Sequence, residues 1–139
     1  MLRFEASGVE LQQLTNSMTV NETYFFREEY QFECLARSIL PEIVGRKGDK
    51  QPIRIWAIPS SSGEEPYSIA LYMLEHWAGL RDWDIQILSS DIDTEILARA
   101  RQGLYSDRSV QHLPEPLLRK YFKRAAGGHQ ICDDLRNAV

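Results

Sequence analysis

Long apolar runs are absent from this chain. No stretch approaches the roughly 18 residues of a membrane-spanning helix, so membrane insertion is not expected. The N-terminus lacks the pattern of a secretory signal, and a cytoplasmic location is expected. Cysteine is scarce: Cys34 and Cys132 are the only two. They form no Cys-x-x-Cys motif and are read as free thiols rather than a disulfide. His76, His112 and His129 are scattered, without the Cys or Asp neighbours of a metal site. They are read as surface residues, and no metal is expected. Excess positive charge is missing too. Sixteen Lys and Arg face 20 Asp and Glu, for a net charge of −4. That removes the field by which nucleic acid or an anionic membrane is drawn in. Internal repeats and low-complexity tracts are also lacking.

What remains is an ordinary globular composition of 139 residues, 43% apolar and 26% charged, enough for one domain with a modest core. Residues 1–20 are mixed and weakly patterned. From Glu28, the residues Phe32, Leu35, Ala36, Ile39, Leu40 and Ile43 recur at helical spacing and predict one buried face. Pro41 predicts a kink or a stop near Leu40. "GRKGDKQP" (45–52) reads as a loop, and "IRIWAI" (53–58) as a buried parallel strand. A second helix runs from Glu64 to about Trp77. Pro66 sits in its first turn, and Ile69, Ala70, Met73, Leu74 and Trp77 form its core stripe. "IQILSS" (85–90) is a second strand. Residues 91–103 form a third helix, with Asp93 as a plausible N-cap, Ile96, Leu97 and Ala100 facing inward, and Gly103 at its end. "PEPLLRKYFKR" (114–124) predicts a short helix with a basic, solvated end, and "AAGGHQ" a turn. Alternating helices and strands predict an α/β fold with parallel strands and right-handed crossovers.

In such sheets ligands sit beyond the carboxyl ends of the strands. Those ends are "PSSSGEE" and "SSDID" here. A helix N-terminus usually holds phosphate. This one carries Glu64 and Glu65, with no Lys or Arg in the loop. Gly63 is the loop's only glycine, so there is no Gly-x-Gly-x-x-Gly. The loop therefore suits a ligand that is neutral or positive. Asp91, after the second strand, can accept both hydroxyls of a ribose. A nucleoside with a cationic tail fits both loops, and S-adenosyl-L-methionine is such a molecule. The plainer readings are that Glu64 and Glu65 offset the helix dipole, that Asp91 or Asp93 is only a cap, and that Tyr67 and Tyr72 are packing residues.

"TVNETYFFREEYQF" (19–32), "IWAIPSSSGEEPYSIA" (55–70) and "LSSDIDTEILARARQGLY" (88–105) together resemble the CheR-type family of chemotaxis-receptor protein-glutamate O-methyltransferases. The resemblance runs from about residue 15 to the end. It implies a partial Rossmann-like methyltransferase fold with an incomplete sheet. It also implies S-adenosyl-L-methionine as cofactor, S-adenosyl-L-homocysteine as product, and the cytoplasmic domains of methyl-accepting chemotaxis receptors as partners. By position it implies that Asn21, Thr23, Arg27 and Glu65 contact the cofactor and that Asp91 holds its ribose. Arg27 also lies near the transferring methyl and steers the substrate carboxylate; its plainer reading is a surface salt bridge with Glu28 or Glu29. Phe25 and Phe26 are packing that fixes the segment. A carboxylate nucleophile and a sulfonium leaving group need alignment rather than a general base.

Two departures from the family stand out. Ala57, Ile58 and Pro59 occupy positions where it has Ser-Ala-Gly or Ser-Ala-Ala; Pro59 stiffens the loop and removes an N–H. Residues 1–20 read as the remnant of a basic helical domain or linker, and 21–139 as the N-terminal half of the catalytic domain. The resemblance places further strands, an Asn-Leu pair and an "RN" motif of the family past a point matching Val139. An exposed sheet edge predicts association with a second copy. The rival readings are a non-catalytic binding module in a signalling system and a methyltransferase of the same fold acting on a small molecule.

Overall fold

The computed structural model describes residues 7–20, 22–47 and 51–139. Helix α1 (Gly8–Met18) lies in the weakly patterned stretch read from sequence as a helical remnant or linker. Its signal is a capping box: the Ser7 side chain accepts the Glu10 N–H at 3.2 Å, and Glu10 accepts the Ser7 N–H at 2.8 Å. None of its residues is buried. Polar contacts hold it to residues 92–94: Gln12 Nε2 donates to the Ile92 carbonyl at 2.7 Å, and Asn16 bonds to Thr94.

Helix α2 (Glu29–Cys34) passes through a π-helical turn (Leu35–Ile39) into α3 (Leu40–Arg46). Pro41 neither stops the chain nor ends the helix. The Leu40 N–H reaches back five residues to Leu35, and Pro41 lies in the first turn of α3. The wider turn accommodates a residue that has no N–H to give. It also shifts the phase, so Ile39 leaves the expected buried stripe and is 44% exposed. Gly45 and Arg46, expected in a loop, complete α3.

Strands β1 (Ile53–Ala57) and β2 (Ile85–Ser89) pair in parallel, with Ile53 opposite Ile85 and Trp56 opposite Leu88. The crossover between them is α4 (Glu64–His76), followed by a 3₁₀ turn (Ala78–Asp82). Ile53, Ile55, Ala57, Ile85 and Ile87 alternate onto one face of the sheet, and α4 packs against β2. The other face is open, contrary to the reading of a fully buried strand: Trp56 is 65% exposed and Leu88 51%. Helix α4 carries more than a stripe. Pro66 through Met73 are all buried, including Tyr67 and Tyr72, while the expected core residue Leu74 is exposed. The helix is covered by the sheet on one side and by an aromatic cluster on another. There Phe26 and Phe32 lie against Tyr72, and Phe25 meets Tyr105 and Phe122 edge-on.

Helix α5 (Thr94–Gln102) is capped as expected. Asp93 Oδ1 accepts the N–H groups of Glu95 and Ile96 at 3.0 Å, and Gly103 closes the helix at φ +66°. The remainder forms a second layer: β3 (Leu104–Tyr105), α6 (Asp107–Val110), α7 (Glu115–Tyr121), β4 (Phe122–Ala125), β5 (Gly128–Ile131) and α8 (Asp133–Arg136). The three strands make an antiparallel sheet in the order β3-β5-β4. The helix expected over 114–124 therefore ends at Tyr121. Phe122, Lys123 and Arg124 pair with β5 instead, and "AAGG" is the hairpin turn. Cys34 and Cys132 are free thiols. His76 and His112 lie at the surface, but His129 is partly buried and its Nε2 sits 2.8 Å from Asp107. Among the described residues no group of His, Cys, Asp and Glu could hold a metal, and no helix of those residues is long and apolar enough to cross a membrane.

Candidate functional site

Two loops meet where β1 and β2 end. The Ser90 N–H bonds to the Ala57 carbonyl at 3.2 Å and the Ser60 N–H to the Ser90 carbonyl at 3.0 Å, so pairing continues past the strands. Between them the Ile58–Pro59 peptide is cis. Beyond, the Asp91 carboxylate joins the loops. Its Oδ2 accepts the Ser61 N–H at 2.8 Å and its Oδ1 the Asp93 N–H at 3.0 Å. Charge-assisted bonds of this kind fix a carboxylate firmly and leave a lone pair on each oxygen for a ligand.

A third segment closes over these loops. The Phe25 N–H bonds to the Ser109 carbonyl at 2.9 Å and the Phe26 N–H to Ser68 Oγ at 3.0 Å. Both rings are buried, as expected of packing residues. Phe26 and Glu28 take left-handed backbone conformations, at φ +59° and +58°. Such conformations cost about 1–2 kcal/mol each in a residue with a Cβ and are held here by the buried pair. Arg27 stands between them. Its guanidinium donates to the Glu22 carbonyl at 2.9 Å and lies 6.0 Å from the Tyr24 ring centroid. Among the described residues it makes no salt bridge, so the pairing with Glu28 or Glu29 is not observed.

The three segments enclose a cleft of about 620 Å³. Thr23, Arg27, Glu65 and Asp91, the site residues expected from sequence, all line it. Asn21 lies outside the described residues. Glu64 does not line it. That carboxylate is 2% exposed, accepts the Ser62 hydroxyl at 2.6 Å, and borders a second, more polar hollow behind the segment that carries Thr23. Of the two acidic residues at the start of α4, Glu65 faces the cleft and Glu64 braces the turn.

The cleft lining carries four carboxylates, Glu22, Glu28, Glu65 and Asp91, against one guanidinium, Arg27. Glu22 is partly offset by an ion pair with Arg108. A surplus of negative charge favours a cationic ligand and disfavours a phosphate. Tyr24, Phe32, Ile58, Pro59 and Ile92 add apolar walls that suit a planar ring. Sequence reasoning did not place Tyr24 or Ile92 at the site, although each lies beside a residue that it did.

Comparison with known proteins supplies the family. Residues 21–139 match the family described as CheR methyltransferase, SAM binding domain. A chemotaxis protein methyltransferase 2 of Vibrio cholerae is 56% identical over 139 residues, covering 99% of this chain and 48% of that protein. A chemotaxis protein methyltransferase 2 of Pseudomonas aeruginosa is 38% identical, covering 94% of this chain and 46% of the relative. The chemotaxis protein methyltransferase of Escherichia coli is 38% identical, covering 87% and 40% respectively. The chain thus spans about half the length of the curated relatives it matches. With its parallel α/β core, paired strand-end loops and acidic cleft, the chain belongs to the CheR methyltransferase family, whose fold is Rossmann-like.

Proposed function

We propose that this chain binds S-adenosyl-L-methionine in the acidic cleft and forms the cofactor-holding part of an enzyme that methylates glutamate side chains of chemotaxis receptors. The observation that carries this reading is the convergence of Thr23, Arg27, Glu65 and Asp91 on one hollow from three separate segments. The donor set fits the cofactor. Asp91, held by two backbone N–H groups, keeps lone pairs for two ribose hydroxyls. Glu65, at the start of α4, supplies negative charge for the amino-acid ammonium. The apolar walls take the adenine. When bound, the sulfonium supplies an activated methyl group. Arg27 then has two tasks, to contact the cofactor and to hold the acceptor carboxylate with its planar fork. No residue has to remove a proton, because a glutamate side chain is already ionised at neutral pH.

In this reading residues 1–20 are the end of a preceding helical part or linker, and 21–139 the N-terminal half of the methyltransferase domain. The partners are receptor cytoplasmic segments and a second copy of the chain at the open sheet. Titration calorimetry with S-adenosyl-L-homocysteine tests the first step. Binding is expected, with affinity reduced about tenfold or more by Asp91→Ala and by Arg27→Ala, the cost of losing a charge-assisted contact. No binding at millimolar ligand overturns the reading. Incubation with labelled cofactor and receptor fragments tests the second step, through base-labile methyl esters. Binding without ester formation reduces the chain to a cofactor-binding module.

A further inference from the structure

Tyr105 closes the third sequence motif and has no part in the cofactor contacts above. It ends β3, opposite His129 of β5, and is 3% exposed. Its ring meets Phe25 edge-on at 4.8 Å, two residues from Arg27. Its hydroxyl donates to the Ser62 carbonyl at 2.9 Å. Ser62 lies in the turn whose Ser61 N–H binds Asp91 and whose next residues begin α4 at Glu64 and Glu65. The turn has no slack on this side. Gly63 adopts φ +94°, and an added Cβ there would lie 3.1 Å from the Tyr105 hydroxyl and 3.0 Å from Tyr67 Cε2.

We infer that Tyr105 is a positioning residue for the cofactor site: its hydroxyl holds the Ser62 carbonyl from behind, so that the front of the same turn presents the Ser61 N–H to Asp91 and Glu65 to the cleft. Packing alone does not call for a tyrosine here, since phenylalanine offers the same ring to Phe25 and Phe122. The hydroxyl adds a donor to a main-chain carbonyl within a part-buried turn. Burial drives the phenol far above its ordinary pKa, and the nearby Glu64 charge adds to this, so the donor never ionises in the working range. The same ring contacts the Phe25 anchor, so one side chain braces two walls of the cleft. The inference rests on the cofactor reading for its function but not for its geometry.

The test compares Tyr105→Phe with Tyr67→Phe in the full chain. Tyr67→Phe also removes a buried hydroxyl, bonded to the Ala100 carbonyl at 3.1 Å, but leaves the turn's carbonyl untouched. Amide exchange by NMR, without ligand, is expected to quicken about tenfold at Ser61 and Gly63 in Tyr105→Phe and to stay unchanged there in Tyr67→Phe. Dissociation constants for S-adenosyl-L-homocysteine are expected to rise about fivefold or more in Tyr105→Phe alone. Unchanged exchange at the two amides, or equal acceleration in both variants, overturns the inference. Failure of the unaltered chain to bind the ligand overturns the cofactor reading instead, and the exchange result still decides the role of Tyr105. If Tyr105→Phe does not fold, the unaltered chain decides. A slowly exchanging Tyr105 hydroxyl proton with a cross-peak to Ser62 supports the brace, and its absence overturns it.

Discussion

Each oxygen of the Asp91 carboxylate receives one backbone N–H, from Ser61 on the first loop and Asp93 on the second. Asparagine, nearly the same shape, cannot reproduce this. Its amide keeps one acceptor and turns an NH₂ group toward a backbone N–H. One loop is then released, and a donor faces a donor. Asp91→Asn is therefore expected to behave more like a deletion than a conservative change. S-adenosyl-L-homocysteine affinity should fall about tenfold or more, and the melting temperature should drop by about 3 °C or more. Thermal melts with and without ligand check both. An Asn variant that binds as the unaltered chain does would show that the carboxylate only caps. At this scale the residues singled out from sequence, Asp91 by its charge and place and Glu65 and Arg27 by the family resemblance, do share one cleft. Charge and spacing alone could not separate Glu64 from Glu65; only the family resemblance singled out Glu65. Adjacent helical residues point about 100° apart, and the Glu64 carboxylate is the one that turns back to accept the Ser62 hydroxyl. Nor could the sequence show what the Tyr105 hydroxyl meets, because that contact joins residues far apart in sequence.

Helices α4 and α7 meet through Glu75, whose carboxylate accepts Lys120 Nζ at 2.7 Å and the Tyr121 hydroxyl. These two donors hold its pKa below the ordinary 4.5. A carboxyl group with a lowered folded-state pKa stabilises the fold above its unfolded value. That contribution is lost as pH falls, because the unfolded chain takes up the proton first. Glu75→Gln should therefore melt a few degrees below the unaltered chain at pH 7, with the gap closing toward pH 3. A gap constant across that range would mean the contact is worth the same with or without its charge. The elements legible in the sequence were those with sustained periodicity and local caps: β1, α4, β2 and α5 stand within three residues of the expected bounds. The antiparallel layer was not legible. β3 is two residues long, and β4 begins directly at the end of α7, so no turn signal separates helix from strand. Its pairing with β5 is decided by tertiary packing of Phe122 and Ile131, which no window of sequence contains. The π-helical turn escaped for a similar reason: a proline announces that the ladder must change, not how the chain absorbs it.

As a whole the molecule buries one face of its parallel sheet and leaves the other open. Trp56 and Leu88 lie opposite each other on that open face, and among the described residues β1 and β2 each pair on one side alone. Unpaired strand edges template further pairing, and exposed apolar area rewards it. A two-fold contact between copies brings the same edge together antiparallel, so each strand finds a partner without a new sequence. Sedimentation velocity is therefore expected to show mass rising with concentration up to about 100 µM, and the melting temperature should rise with it, because association stabilises only the folded form. Leu88→Lys should return the chain to a monomer. It should also leave the melting temperature of the dilute protein nearly unchanged, since the side chain it replaces is already half in water. The two readouts separate native association from aggregation of unfolded chains, which would lower the melting temperature as concentration rises. A single monomeric species across the whole range would mean that the open face is tolerated in water as it stands.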